Sequence, residues 1–423
     1  MAPQQLNKKS IFSWCLFDFA NSSYSAVIAA VVFPVYYANV VVGNTNGNGD
    51  LWWGRAISLS MAIIAVSSPF LGGIADYAGA RKRLLFLYTA MSVCAIAGFS
   101  ALGRGTVVTG FVMILAANIG MEGGLVFYNS FLPEIAPREY HGRVSAWGFG
   151  TGYAGSIVSL LLAMPFVKTG SFELVWLMVA VFFLLFSLPA FIFLPPDRRN
   201  DFSLFKAGTT GVQYTIATLK ELWGKKEIRK FLLAYLIYED GINTVIIFSS
   251  LFAATTLGFK PQELIILYIV VQVTALIGAF IMAKPIDMLG PKKVVIASLI
   301  MWSSVVTLAF FVETKTQFWG IASFAGLGLG TVQAANRAFY TQFIPHEKES
   351  EYFGIYSLVG KTSAILGPLV FGFTSSAFGS QRPAILSVAV FFIAGTIVLS
   401  FVRDGGPNIN ISQESEVRSQ NTG

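Results

Sequence analysis

Polar and charged side chains recurring at helical spacing inside long apolar runs are the residues best able to do chemistry in this chain. Asp18, Asn21, Ser22 and Ser25 fall at i, i+3, i+4 and i+7, and Asp240, Asn243 and Thr244 at i, i+3 and i+4, so each set makes one face of a helix. Asn118, Glu122 and Asn129 share another run, Gln333, Asn336, Arg337 and Tyr340 a further one, and Ser357 and Lys361 the next. Because an unpaired polar group in lipid is costly, these faces are expected to line a shared cavity. There Asp18 and Glu122 of the first half face Arg337 and Lys361 of the second, charges that suit a solute carrying both an amine and a carboxylate. Glu239 and Asp240 lie about ten residues, roughly 15 Å, into their run. They are the proton-carrier candidates, since adjacent carboxyls disfavour simultaneous ionisation. Tyr24, Trp147, Tyr153 and Tyr356 are selected as cavity walls. Plainer roles stand beside these: Glu122 with Arg337 as a structural ion pair closing the path, and Asp18, about six residues or 9 Å into its helix, as a gate contact.

Other chemistries find little support. No HExxH, GxSxG or paired Cys/His set is present for an intramembrane enzyme, and no complete G-x-x-x-x-G-K-[ST] phosphate loop for ATP-driven transport. Cys15 and Cys94 sit in apolar runs, and neither His141 nor His346 has neighbours spaced as metal ligands. Neither a metal nor a cofactor is expected.

The elements that position these residues follow from composition. Of 423 residues, 55% are hydrophobic and only 12% charged, with a mean hydropathy of +0.66, whereas soluble domains carry about 25% charge. Apolar runs begin near Ile11, Trp52, Leu84, Val107, Val144, Phe172, Phe231, Leu264, Val294, Phe318, Tyr352 and Pro383, which predicts twelve membrane spans of about 20 residues each. The first, preceded by Lys8 and Lys9 and interrupted by Asp18 and Asn21, runs on to about Tyr37 and reads as an uncleaved helix. With both termini cytoplasmic, 21 of the 29 Lys and Arg fall in inside segments and five in outside loops, Arg104, Lys168, Lys260, Lys315 and Arg382. The net charge of +7 is spread among these loops, which favours lipid headgroups over nucleic acid as neighbours.

Half of the chain repeats. GGIADYAGARKR around Asp76 and AKPIDMLGPKK around Asp287 share D-x-x-G-x-[RK]-[RK] at an offset of 211. Within one residue of that offset Tyr128 meets Tyr340, Pro133 meets Pro345, Gly142 meets Gly354 and Gly155 meets Gly367. The organisation expected is a six-helix half at 1–195, a charged cytoplasmic connector at 196–229, a second six-helix half at 230–403 and a polar tail at 404–423. In the connector, both an amphipathic surface helix at Val212 to Trp223 and a solvated linker remain open. Asp76, against the positive N-terminal end of a facing helix near Tyr352, is expected to latch the cytoplasmic side closed with Arg81 and Lys82. Asp287 and Lys292 repeat this arrangement, and Gly72, Gly79 and Gly290 supply close approach and turns.

The loop from Gly72 to Lys82 and its copy at Asp287 resemble the signature loop of the major facilitator superfamily. WCLFDFANSSYS in the first span, YEDGINT in the seventh and FLPEIA after the fourth resemble its vacuole-effluxer branch, which includes fungal autophagy-related amino-acid exporters and bacterial relatives. The resemblance implies an all-α membrane protein of twelve transmembrane helices in two pseudo-symmetric six-helix halves, working by alternating access. It implies a monomer in a bacterial inner membrane, with proton-coupled amino-acid efflux as the activity. Export of drugs or organic anions, and a non-transporting receptor or scaffold, are the alternatives.

Overall fold

The computed structural model describes residues 7–43, 48–197, 204–345, 348–363 and 381–403, with Gly367, Val370, Phe371, Thr374 and Phe378. His346 and the tail at 404–423 lie outside the described residues.

The described chain is almost wholly helical: α1 (Lys8–Ser23), α2 (Asn48–Ala78), α3 (Arg81–Gly98), α4 (Val107–Ser130), α5 (His141–Lys168) and α6 (Phe172–Phe193). A connector helix (Leu204–Gly224) follows, longer than the surface helix weighed from sequence. Then come α7 (Lys226–Leu257), α8 (Pro261–Leu289), α9 (Pro291–Phe310), α10 (Lys315–Thr341), α11 (Glu349–Thr362) and α12 (Gln381–Ser400). Ten of these are long and apolar enough to cross a bilayer, and α1 with its bent continuation makes an eleventh. The remaining expected span begins with α11 and has described helical residues as far as Phe378.

The first span is not the plain helix expected. After Ser23 it widens into π-helical turns over Tyr24–Val31, bends by 42° and restarts at Phe33. Pro34, which lacks an N–H, falls in the first turn of the restarted helix, where that donor is not needed.

Lipid acts as the solvent for the outer faces. On α6, Leu177, Val181, Leu184, Leu188 and Ile192 are exposed while Val175, Trp176, Val179 and Phe183 are buried, an apolar stripe turned outward at helical spacing. Inside, the buried apolar residues fall mainly into two clusters, one drawn from residues 11–194 and one from 222–402 with Ala146. With little hydrophobic drive between helices in lipid, small residues permit the tight contacts. The repeat mates Gly155 and Gly367 show this: a Cβ on Gly155 would overlap the Phe19 carbonyl of α1, and one on Gly367 would overlap Thr244 and Asp240 of α7.

Candidate functional site

Residues from α1, α4, α5, α7, α8, α9, α10, α11 and α12 enclose a cavity of about 700 Å³. Its polar lining includes Asp18, Asn21, Ser22, Ser25, Glu122, Asn129, Gln333, Arg337 and Lys361. Much of the remaining lining is apolar, with Phe248, Phe252, Trp302, Val306 and Phe318. Two ion pairs join the halves at the polar end. Glu122 Oε2 lies 2.6 Å from Lys361 Nζ, and Asp18 Oδ2 lies 3.6 Å from Arg337 Nη1. The pairing of Glu122 with Arg337 weighed from sequence is therefore replaced: Lys361 on α11 reaches α4, while Arg337 on α10 reaches α1. Helical spacing places a residue on a face but does not choose its partner across the cavity.

Arg337 anchors rather than dangles. Nε donates to Ser145 Oγ at 2.8 Å, Nη2 to the Ser145 carbonyl at 2.7 Å and Nη1 to Asn129 Oδ1 at 3.1 Å. Its guanidinium packs over Phe149 at 4.0 Å and Trp14 at 4.6 Å. Planar, weakly hydrated and rich in donors, it suits a buried junction of several partners. Lys361 and Glu122 keep part of their surface open, 26% and 17% of their side chains, so this pair faces the cavity and is available for exchange.

Tyr24, Trp147, Asn243, Asn336 and Tyr356 are expected at the site but lie off the cavity lining. The Tyr24 hydroxyl donates to Asn118 Oδ1 at 3.1 Å, and Asn118 donates to Ser60 Oγ at 2.7 Å. Asn336 accepts from the Tyr238 hydroxyl at 2.8 Å, and Asn243 donates to Ser363 Oγ at 3.2 Å. Tyr356 stacks on Tyr235 at 4.4 Å and Tyr340 at 4.7 Å, and Trp147 packs between the two apolar clusters. Buried polar groups need partners, and here neighbouring helices supply them. Tyr153 does line the cavity and donates to Gln333 Oε1 at 2.5 Å. Tyr268 and Gln272 of α8 also line it; their only mark in the sequence is polarity within a span.

Glu239 and Asp240, adjacent in sequence, have different surroundings. Consecutive helical residues point about 100° apart. Both Asp240 oxygens accept from the Gly367 N–H, at 2.8 and 2.9 Å, tying α7 to the eleventh span. Glu239 Oε2 is buried with no hydrogen-bond partner among the described residues, and its charged neighbour is Lys361.

One end of the bundle is latched. Asp76 accepts from the N–H groups of Ser350 at 3.2 Å and Glu351 at 2.9 Å, capping α11, so its charge meets the positive helix end. Arg81 Nε lies 2.7 Å from Asp76 Oδ1, and its Nη2 pairs with Glu349. Asp287 repeats this on α5, accepting from the Arg143 N–H at 3.1 Å. Gly72 lies so close to α11 that a Cβ would overlap the Ser350 carbonyl, and Gly79 and Gly290 turn the chain at φ of 58° and 88°. Lys82 and Lys292 are corrected: Lys82 donates to the Leu194 carbonyl at 2.8 Å and Lys292 to the Val402 carbonyl at 2.6 Å. Each steadies the end of α6 or α12 within its own half. His141, at the start of α5, is buried between the Ala136 carbonyl at 3.0 Å and Thr341 Oγ1 at 2.9 Å, and so joins α5 to α10.

A cavity between repeated helices, closed at one end by paired acid-to-helix contacts, is the layout of an alternating-access carrier. The family described as "Vacuole effluxer Atg22 like" matches residues 55–405. The chain belongs to that family. An "Uncharacterized MFS-type transporter YxiO" of Bacillus subtilis is 28% identical, covering 92% of this chain and 94% of its own length. "Autophagy-related protein 22-1" of Neosartorya fischeri is 25% identical over 59% of this chain, and the match spans 46% of that fungal protein. The crystal structure of the human organic anion transporter MFSD10 superposes with a TM-score of 0.70 at 13% identity, covering 94% of this chain and all of that one, which establishes the major facilitator fold. The protein is thus a multi-pass membrane transporter of the major facilitator type.

For this Atg22-like transporter, Asp76→Asn is expected to loosen the latch by about 1–2 kcal/mol, because the helix-end charge and the Arg81 pair weaken while an acceptor oxygen remains. Faster alkylation of a cysteine at Ser350 checks this. Asp287→Asn is expected to act in the same direction but less, as its Arg143 Nε contact is longer, 3.4 Å. Unchanged reactivity and transport in the double variant would reduce both loops to topology signals.

Proposed function

We propose that the transporter exports small amino acids or similar zwitterions from the cytoplasm in exchange for protons. The observation that carries this is the Glu122–Lys361 pair, drawn from the two halves and open to the cavity. A solute with its own ammonium and carboxylate can take over both charges without leaving either unpaired. Such a solute binds one access state better than the other and so biases their exchange. Glu239, whose Oε2 is buried with no hydrogen-bond partner among the described residues and whose charged neighbour is Lys361, is the favoured proton carrier. Asp240 is the second candidate.

This reading divides the chain into halves at 1–195 and 230–403, working as a monomer in a bacterial plasma membrane with both termini and the connector cytoplasmic. The loop charges support that orientation. Cysteines introduced at Arg104 and Lys220 are then expected to react from opposite sides of the membrane; labelling from one side rejects the topology. For the activity, proton-driven amino-acid flux is measured in proteoliposomes for wild type, Glu239→Gln, Asp240→Asn, Glu122→Gln and Lys361→Met. Absence of amino-acid binding by wild type rejects the substrate class, and undiminished flux in all four variants rejects the site. The broad apolar wall around Trp302 and Phe318 favours a second reading, a bulkier drug-like or organic-anion solute. Competition of such solutes against amino-acid flux separates the two.

A further inference from the structure

The connector helix carries two unlike faces. On the inner face the Thr215 hydroxyl donates to the Pro69 carbonyl of α2 at 3.2 Å, and Thr218 and Leu222 are buried. Lys348, the residue just before α11, donates to Thr218 Oγ1 and Glu221 Oε2, each at 3.2 Å. One helix therefore spans α2 and the start of α11, the two elements that Asp76 latches together.

The outer face presents Ile216, Lys220 and Trp223 at i, i+4 and i+7, with Trp223 74% exposed. Its position relative to lipid can be traced through α7. Arg229 Nη1 donates to the Trp223 carbonyl at 2.7 Å. Lys226, Arg229 and Leu233 form one stripe of α7, and Leu233 is exposed on the span Lys226–Ser249, so that stripe turns to lipid. Trp223 thus stands at the membrane boundary, where tryptophan is favoured. The charge there is uncompensated. Glu221 pairs with Lys225 and Lys348, and Glu227 with Lys230, whereas Lys220, Lys226 and Arg229 have no carboxylate partner among the described residues.

We propose that this outer face, Ile216, Lys220 and Trp223 with Lys226 and Arg229, binds anionic phospholipid headgroups of the adjoining leaflet and thereby holds the connector helix across the closed latch. Apolar and aromatic side chains enter the boundary while the cations meet the surface charge. Continuity with the lipid-facing stripe of α7 favours lipid over a soluble protein as the occupant.

The test uses the full chain in nanodiscs of phosphatidylcholine alone or mixed with phosphatidylglycerol. Both leaflets then share one composition, so the result does not depend on the orientation or substrate proposed above. A bimane label at Ala217→Cys, in a Cys94→Ala background, reports the outer face, and alkylation of Ser350→Cys reports the latch. Phosphatidylglycerol is expected to shift bimane emission to the blue and to slow alkylation about tenfold. Lys220→Glu with Lys226→Glu and Arg229→Glu, all at exposed positions, is expected to remove both effects. Equal emission in the two lipids overturns the proposal. So does an emission shift with unchanged alkylation, which severs lipid from latch, and so does protection of Ala217→Cys only by added soluble protein.

Discussion

Lys361→Met is expected to lower proton-driven solute flux by about ten- to a hundredfold, the loss that follows from removing one charge-assisted hydrogen bond. The substitution strips Glu122 of its partner at 2.6 Å and takes a cation from the cavity. The double variant Glu122→Gln with Lys361→Met separates two roles. If the pair serves only to hold α4 against α11, removing both charges leaves no stranded carboxylate and flux returns. If the pair receives the solute, the double variant folds as well as wild type and still fails to transport. Recovered flux in the double variant would therefore remove Glu122 and Lys361 from the binding site. Thermal unfolding of the same purified variants keeps loss of fold distinct from loss of function.

Arg337→Met carries the largest expected cost to the latched state, about 3–5 kcal/mol, as is typical when one partner of a buried charge network is deleted. It leaves Asp18, Asn129 Oδ1 and the Ser145 carbonyl without the guanidinium that joins α10 to α1, α4 and α5. Arg337→Lys is expected to recover little, because a single ammonium cannot reproduce the forked donors or the stacking on Phe149 and Trp14. The checks are a lower unfolding temperature and faster alkylation of Ser350→Cys. A variant with unchanged latch reactivity would show that the Asp76 and Asp287 caps hold the closed end alone.

Membrane spans, the six-helix repeat and the latch loops were legible because each is a periodic or local property of the chain. Apolar runs must match the bilayer whatever their neighbours, since lipid offers no partners for an exposed backbone. Likewise Asp76 and Asp287, at the ends of their helices and repeated at a constant offset, declare themselves without reference to distant contacts. The bend of the first span at Val32 was foreshadowed only by Pro34; its π-helical turns left no comparable mark.

The polar faces were legible as faces, but their assignment was not. Asp18, Asn21, Glu122, Asn129, Gln333, Arg337 and Lys361 share the cavity, while Tyr24, Asn243 and Asn336, equally polar and within spans, turn to neighbouring helices instead. Lys82 and Lys292 likewise matched the latch motif and went to carbonyls within their own halves. Sequence by itself thus determined the spans, the duplicated architecture and the set of groups that must find partners. Only the tertiary structure decided that Glu122 meets Lys361, that Arg337 meets Asp18 and Ser145, and that Asp240 is bonded while Glu239 Oε2 is not. The reason is physical: spacing along one helix sets a direction for each side chain, whereas its partner depends on how two helices from opposite halves are rotated and shifted against one another.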